Sequence, residues 1–204
     1  MADTVTAVRR RARTVTRVSD VPSRVRMLRM VIDSILGRVT PQPVAEAAVP
    51  VRVRELGDRR VWLRPRSHDR EAFEYLEEGH HLPPAEMSAA PQHIAIFGAN
   101  IGLLMADLAT RYPQARLLGV EPERHNARLA RRNVEAFGER CEIAETAVWY
   151  RDERLELAWG HDAWGLDLTG GTARGQHRET ARVIEAVDAG ALLAASPAVR
   201  RSTT

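Results

Sequence analysis

The chain has 204 residues, 44% of them hydrophobic and 28% charged, with a formal net charge of +3. That length and balance fit one soluble globular domain with a short extension and exclude a wholly disordered chain. The single cysteine, Cys141, excludes an intramolecular disulfide, no apolar run reaches the roughly 18 residues of a membrane span, and no apolar stretch follows Arg9-Arg10-Arg11 as in a secretory signal, so the expected address is the cytoplasm.

Every one of the 30 Lys+Arg side chains is Arg. This bias suggests GC-rich coding sequence and makes abundant Arg a poor sign of Arg-specific chemistry. Residues 1–40 hold nine Arg against Asp3, Asp20 and Asp33, a surplus of six, which leaves the remainder with a deficit of three. A basic arm can attract nucleic acid or an anionic surface. Without aromatic interleaving or a recognition motif, a solvated or partner-facing helix is preferred and nucleic acid is not expected as a partner.

In chain order, residues 1–40 read as one or two helices. Val5, Val8, Val15 and Val18 fall loosely at helical intervals, and Pro22 breaks the pattern. From Ser23, a second stretch puts Val25, Leu28, Ile32, Ile35 and Leu36 on one stripe. Thr40-Pro41-Gln42-Pro43 ends it as a stiff linker. Val51 to Leu56 alternates apolar and polar residues, Gly57-Asp58 supplies a turn, and Val61 to Arg64 follows as a second strand. Together they predict a β-hairpin. A helix is expected from about Asp69 to Glu78, and Pro83, Pro84 and Pro91 bracket an irregular connection.

The pattern then alternates. Strands are expected at His93–Phe97, Arg116–Val120 and Cys141–Glu145, with helices at Ile101–Thr110 and Arg124–Phe137 between them. Such an order implies a parallel sheet with right-handed crossovers. Beyond Trp149 the signal weakens to a hairpin strand at Arg154–Trp159, a glycine-containing loop at Asp167–Gln176, a strand at Val183–Val187 and a short helix at Ala189–Ala195. The expected organisation is a basic helical extension and linker over 1–43, a hairpin and helix over 44–92, and a partial Rossmann-like domain over 93–204.

Two segments carry chemistry. In Ile94-Ala95-Ile96-Phe97-Gly98-Ala99-Asn100-Ile101-Gly102 an apolar strand enters a glycine turn and then a helix. Gly98 lets the turn bend and a ligand approach the backbone, and free N–H groups at a helix start can bond that ligand. In Gly119-Val120-Glu121-Pro122 an acid stands at the carboxyl end of the next strand, where ligands bind in open α/β sheets. It can accept two hydrogen bonds from the vicinal hydroxyls of a ribose. The dinucleotide fingerprint wants glycines at the first, third and sixth positions, where this chain has Gly98, Asn100 and Leu103. The loop is poorly built for a pyrophosphate and suits a nucleoside with an amino-acid tail, S-adenosyl-L-methionine.

From about Val51 to Leu193 the chain resembles the FkbM family of S-adenosylmethionine-dependent methyltransferases. The resemblance rests on Ser67-His68-Asp69-Arg70-Glu71-Ala72-Phe73, Gly98-Ala99-Asn100-Ile101-Gly102, Val120-Glu121-Pro122, Asn133-Val134 and Ala147-Val148. It implies an α/β, Rossmann-like class I methyltransferase fold with an N-terminal helical extension and β-hairpin. It also implies O-methylation of a hydroxyl on a small metabolite or sugar. Gly98, Asn100 and Gly102 would then line the methionine part of the cofactor, Glu121 would hold the ribose, and Ala147 would lie near the adenine. The region of His80-His81 would lie near the cofactor cleft.

The family usually carries an acid two residues before the first glycine, where this chain has Ile96. It also continues past the Val183–Leu193 region into further strands, so the fold is expected to be incomplete at the C-terminus and the first strand to lie at a sheet edge. A truncated, non-catalytic remnant or interaction module of the same fold is the alternative. No catalytic residue is assigned: His161 could serve as a general base, but a lone loop histidine is more often merely solvated. No metal site is expected, because Glu77, Glu78, His80 and His81 lack zinc-like spacing. Cys141 is expected to be a buried, inert strand residue.

Overall fold

The structure is a computed structural model that describes residues 13–39, 48–79, 81–82, 90–159, 166–169 and 182–198. Helix α1 runs Val21–Ile35. The Asp20 carboxylate accepts the Ser23 N–H at 2.8 Å. Pro22, expected to interrupt the helix, instead occupies its first turn, where a missing N–H costs nothing. α1 buries Ser23, Met27, Met30, Val31 and Asp33. The stripe of Val25, Leu28, Ile32, Ile35 and Leu36 is exposed. Specific bonds decide this orientation: Ser23 Oγ accepts the Arg52 N–H at 2.9 Å, and Arg26 Nη1 donates to the Pro50 carbonyl at 2.8 Å. Val5 and Val8 lie outside the described residues, and Val18 forms a bridge with Val53 rather than continuing a helix.

The hairpin forms as expected. Strands β1 (Val49–Val53) and β2 (Arg59–Leu63) pair antiparallel with Val51 opposite Val61. Between them lie a 3-10 turn at Arg54–Leu56 and the pair Gly57-Asp58, both left-handed. Helix α2 spans Asp69–Glu78.

The alternating segment folds into a parallel sheet in the order β3-β4-β5, with β3 at His93–Phe97, β4 at Arg116–Val120 and β5 at Cys141–Ala144. The crossovers are helix α3 (Leu103–Arg111) and helix α4 (Arg124–Val134). A 3-10 stretch at Glu135–Arg140, which holds Phe137 and Gly138, replaces the last turn expected of α4. β4 is central and almost wholly buried, while β3 pairs among the described residues only with β4, and Phe97 is 53% exposed. The expected edge position of the first strand is thus what the described residues show.

After β5 the chain builds a second sheet, in the order β6-β9-β7-β8. Its strands are β6 (Ala147–Trp149), β7 (Glu153–Trp159), β8 (Leu166–Thr169) and β9 (Arg182–Asp188). β6 pairs parallel with β9, whereas β7 runs antiparallel to both neighbours. β8 replaces the start of the expected Asp167–Gln176 loop, and the rest of that loop lies outside the described residues. Helix α5 (Ala189–Ala195) brings Leu192, Leu193 and Ala198 onto Leu118 and Val120. On the opposite side, Leu117 joins the main core with Ile101, Met105 and Phe73. Both faces of the central strand β4 are therefore covered, whereas Ala95 and Phe97 of β3 stay exposed. The result is a mixed α/β fold with a parallel sheet.

Cys141 begins β5 and is half-buried. Burial pushes its thiol up to about 11, with Arg140 pulling weakly the other way. Little thiolate then exists near neutral pH, and thiolate is the reactive form. Modification by a disulfide reagent is expected to be slow at pH 7 and to rise about tenfold per pH unit until the fold is lost, as followed by absorbance against a free thiol. A fast reaction at pH 7 would contradict the burial argument.

Candidate functional site

The turn after β3 is shaped by alternation. Gly98, Asn100 and Gly102 all have positive φ, at 81, 49 and 77°. Glycine reaches this region freely, and asparagine tolerates it better than most residues, which gives Gly-x-Asn-x-Gly a conformational reason. The Val120 carbonyl accepts from both the Gly98 and Ala99 N–H groups, at 2.9 and 2.8 Å, and pins the turn to the end of β4.

The three glycines near this turn differ in what surrounds them. A Cβ on Gly102 would stand 2.9 Å from the Ala130 Cα, so α3 and α4 meet closely there. A Cβ on Gly119 would meet Ile143, Ala99 and Met105 at 2.8 to 3.0 Å. Among the described residues, a Cβ on Gly98 would meet nothing within 4 Å, and Gly98 is exposed. Behind it, Gly102 caps α3 without a side-chain acceptor, so the first-turn N–H groups have no side-chain cap.

Glu121 closes the turn from the other side. Its Oε2 accepts the Asn100 N–H at 2.7 Å, and its Oε1 accepts the Glu123 N–H at 3.0 Å. Asn126 Nδ2 stands 3.5 Å from Oε1. A carboxylate offers about four acceptor positions, and these three donors leave about one for a hydroxyl. Glu121 is only 4% exposed, and burial raises its carboxyl above the ordinary range, while the Glu123 and Asn100 N–H groups pull it down.

A buried relay supports Glu121 from the hairpin. The Arg64 guanidinium grips Asp69 through Nε at 2.9 Å and Nη2 at 2.7 Å, and the same Nη2 donates to Asn126 Oδ1 at 2.8 Å. Arg64 and Asp69 are 5% and 4% exposed. Among the described residues, Arg64 Nη1 is buried without a partner. Asn133 is a second staple: its Oδ1 accepts the Trp62 N–H at 2.6 Å, and its Nδ2 donates to the Ile101 carbonyl at 2.8 Å. The Ser67-to-Phe73 and Asn133-Val134 segments thus connect to the turn through Asp69 and Asn133. Removing one member of a buried ion pair leaves its partner uncompensated and costs about 3–5 kcal/mol. Asp69→Ala is expected to lower the unfolding free energy by that amount in urea titration, and Asp69→Asn by less; an unchanged midpoint for Asp69→Ala would contradict the relay.

Of the expected site residues, Gly98, Asn100, Gly102 and Glu121 come together. Ala147 opens β6, and its side chain is buried with Leu155, Ile184 and Ala186 in the core of the second sheet. His80 and His161 lie outside the described residues. His81 Nε2 lies 2.8 Å from Asp107 Oδ2, which also takes Arg111 Nε at 2.6 Å, and His81 Nδ1 is buried with no partner among the described residues. Sequence reasoning missed Arg64, Asn126 and the His81–Asp107 pair. The Arg64–Asp69 spacing and the position of Asn126 in the turn after Glu121 were the available signals.

No protein-family model matches the chain, and no curated protein does. Among solved structures, the chain is similar to the methyltransferase FkbM of Methylobacillus flagellatus KT, at 16% identity and a TM-score of 0.31. The similarity covers 75% of this chain and 36% of that one, so the chain spans about a third of its length.

Proposed function

We propose that the Gly98–Gly102 turn and Glu121 bind S-adenosyl-L-methionine. We read the chain as a Rossmann-like class I methyltransferase acting on a hydroxyl oxygen of a small metabolite or sugar. The observation that carries this reading is the 2.7 Å bond from the Asn100 N–H to Glu121 Oε2, beside the open space at Gly98. It couples the turn to an acid with acceptor capacity to spare. The residues present fit the cofactor: a nucleoside supplies a ribose hydroxyl to Glu121, and an amino-acid carboxylate suits the uncapped N–H groups of α3.

When bound, the cofactor supplies an electrophilic methyl group on a sulfonium. Glu121 holds the ribose, and Gly98, Asn100 and Gly102 line the amino-acid tail. Ala147, at the start of β6, is placed on the adenine side without itself reaching the surface. The chain's main contribution to rate is then proximity and orientation of donor and acceptor. A second reading, a cofactor-binding module without transfer, is favoured by β3, which among the described residues pairs only with β4 and leaves Ala95 and Phe97 exposed.

Transfer of radiolabel from methyl-labelled S-adenosylmethionine to a panel of sugars and hydroxylated metabolites separates the two. Label on an acceptor oxygen, lost in Glu121→Ala, supports the enzyme. Cofactor binding with no labelled product supports the module.

A further inference from the structure

Six large aliphatic side chains stand open on α1 and its C-cap. Val21, Val25, Leu28, Ile32, Ile35 and Leu36 are 45–68% exposed. Their spacing places them on one arc of about 100° around the helix axis. The opposite arc, with Met27, Met30 and Val31, is docked on the protein, so the stripe points away from the body. Arg24 and Arg29 border the stripe on its two sides; both are exposed, and neither forms an ion pair among the described residues. The one acid between Val21 and Arg38, Asp33, is 4% exposed and lies 3.6 Å from Arg38. The open face of α1 therefore carries aliphatic and positive groups and no exposed carboxylate.

Three occupants suit an apolar helix face: a second copy, another protein, or a lipid surface. A second copy packed in parallel would set Arg24 and Arg29 against their own equivalents, a like-charge juxtaposition. The stripe also offers on the order of 500 Å², short of the roughly 800 Å² per partner in a stable interface. It has no aromatic anchor and no polar residue to fix the register of a protein partner. An anionic bilayer needs neither. A short helix lying in the headgroup plane sinks its aliphatic arc, while flanking Arg stems carry their guanidinium groups to the phosphates. The Arg9-Arg10-Arg11 run upstream adds charge of the same sign.

We infer that α1 seats the protein on an anionic lipid surface, with Val25, Leu28, Ile32 and Ile35 entering the interface and Arg24 and Arg29 meeting lipid phosphates. The test is cosedimentation of the full chain with vesicles of phosphatidylcholine, alone or mixed with phosphatidylglycerol. The expected result is binding to the mixed vesicles that weakens with salt, and none to pure phosphatidylcholine. The double variant Leu28→Glu/Ile32→Glu is expected to bind at least about tenfold more weakly, and Arg24→Gln/Arg29→Gln about tenfold more weakly. All four positions are exposed, and far-UV circular dichroism checks that the fold is kept. Three outcomes overturn the inference: no binding to mixed vesicles; binding of the Leu28→Glu/Ile32→Glu variant equal to the parent, which would assign it to the basic arm; or a dimer in sedimentation velocity that Leu28→Glu converts to a monomer, which would assign the face to a second copy.

Discussion

Gly102→Ala is expected to cost the chain much of its stability, and Gly98→Ala is expected to leave it folded but poor at binding the proposed cofactor. Both glycines are left-handed, and a Cβ at such a φ costs roughly 1–2 kcal/mol. Only at Gly102 does the new carbon also meet backbone, the Ala130 Cα at 2.9 Å, which no side-chain rotation relieves. The helices must separate, and overpacking adds about 1–3 kcal/mol. The melting temperature of Gly102→Ala is then expected to fall by roughly 10 °C, against a few degrees for Gly98→Ala. At Gly98 the added methyl enters the open space proposed for the ligand, so S-adenosylmethionine affinity is expected to drop by at least about tenfold. Differential scanning calorimetry and a binding titration read the two effects separately. Equal destabilisation by both variants would contradict the packing argument, and unchanged affinity in Gly98→Ala would contradict the placement of the ligand.

Removal of the Glu121 carboxylate is expected to have the largest effect on binding. Hydrogen bonds to a charged acceptor contribute about 1.5–3 kcal/mol each, so losing the ribose bond in Glu121→Ala predicts a fall in affinity of up to about a hundredfold. The same variant leaves the Asn100 and Glu123 N–H groups without their acceptor, so Glu121→Gln, which keeps a carbonyl oxygen, is the gentler control.

The pH dependence follows from burial, which raises this carboxyl above its ordinary range. Between the ordinary and the raised value the folded chain holds the proton more readily than the unfolded one. Its contribution to stability therefore falls as pH rises through that window. Ligand affinity has the opposite slope, because the hydroxyl donates to the ionised form. Affinity should rise with pH across the window in the parent and lose that slope in Glu121→Gln. A sloping profile in the variant would assign the titration to another group.

The sequence reads most clearly where strands are buried on both sides. β4 is an unbroken apolar run between Arg116 and Val120, and its bounds match the expectation. α2 likewise begins at Asp69 and ends before Gly79, a left-handed cap of the kind that stops helices. The face of α1 was not legible, because two arcs of that helix are apolar and the bonds of Ser23 and Arg26 to the hairpin choose between them.

At the site, Asn100 and Glu121 stand 21 positions apart, at the carboxyl ends of the two strands of one strand–helix–strand unit, so their meeting follows from local pattern. The bond of Arg64 to Asn126 joins positions 62 apart, from the end of β2 to the first turn of α4, and no periodicity reports it. Ala147 shows the same limit. Its place after β5 is clear from the chain, but its packing depends on β9, which pairs with β6 from nearly forty residues away.

The central claim is that Gly98, Asn100, Gly102 and Glu121 form one cofactor site, and calorimetric titration of the purified chain with S-adenosylmethionine tests it most directly. One-to-one binding by the parent, weakened by up to about a hundredfold in a folded Glu121→Ala variant, is the result predicted. A folded parent that takes up no S-adenosylmethionine, or a Glu121→Ala variant that binds it as tightly as the parent, would contradict the claim.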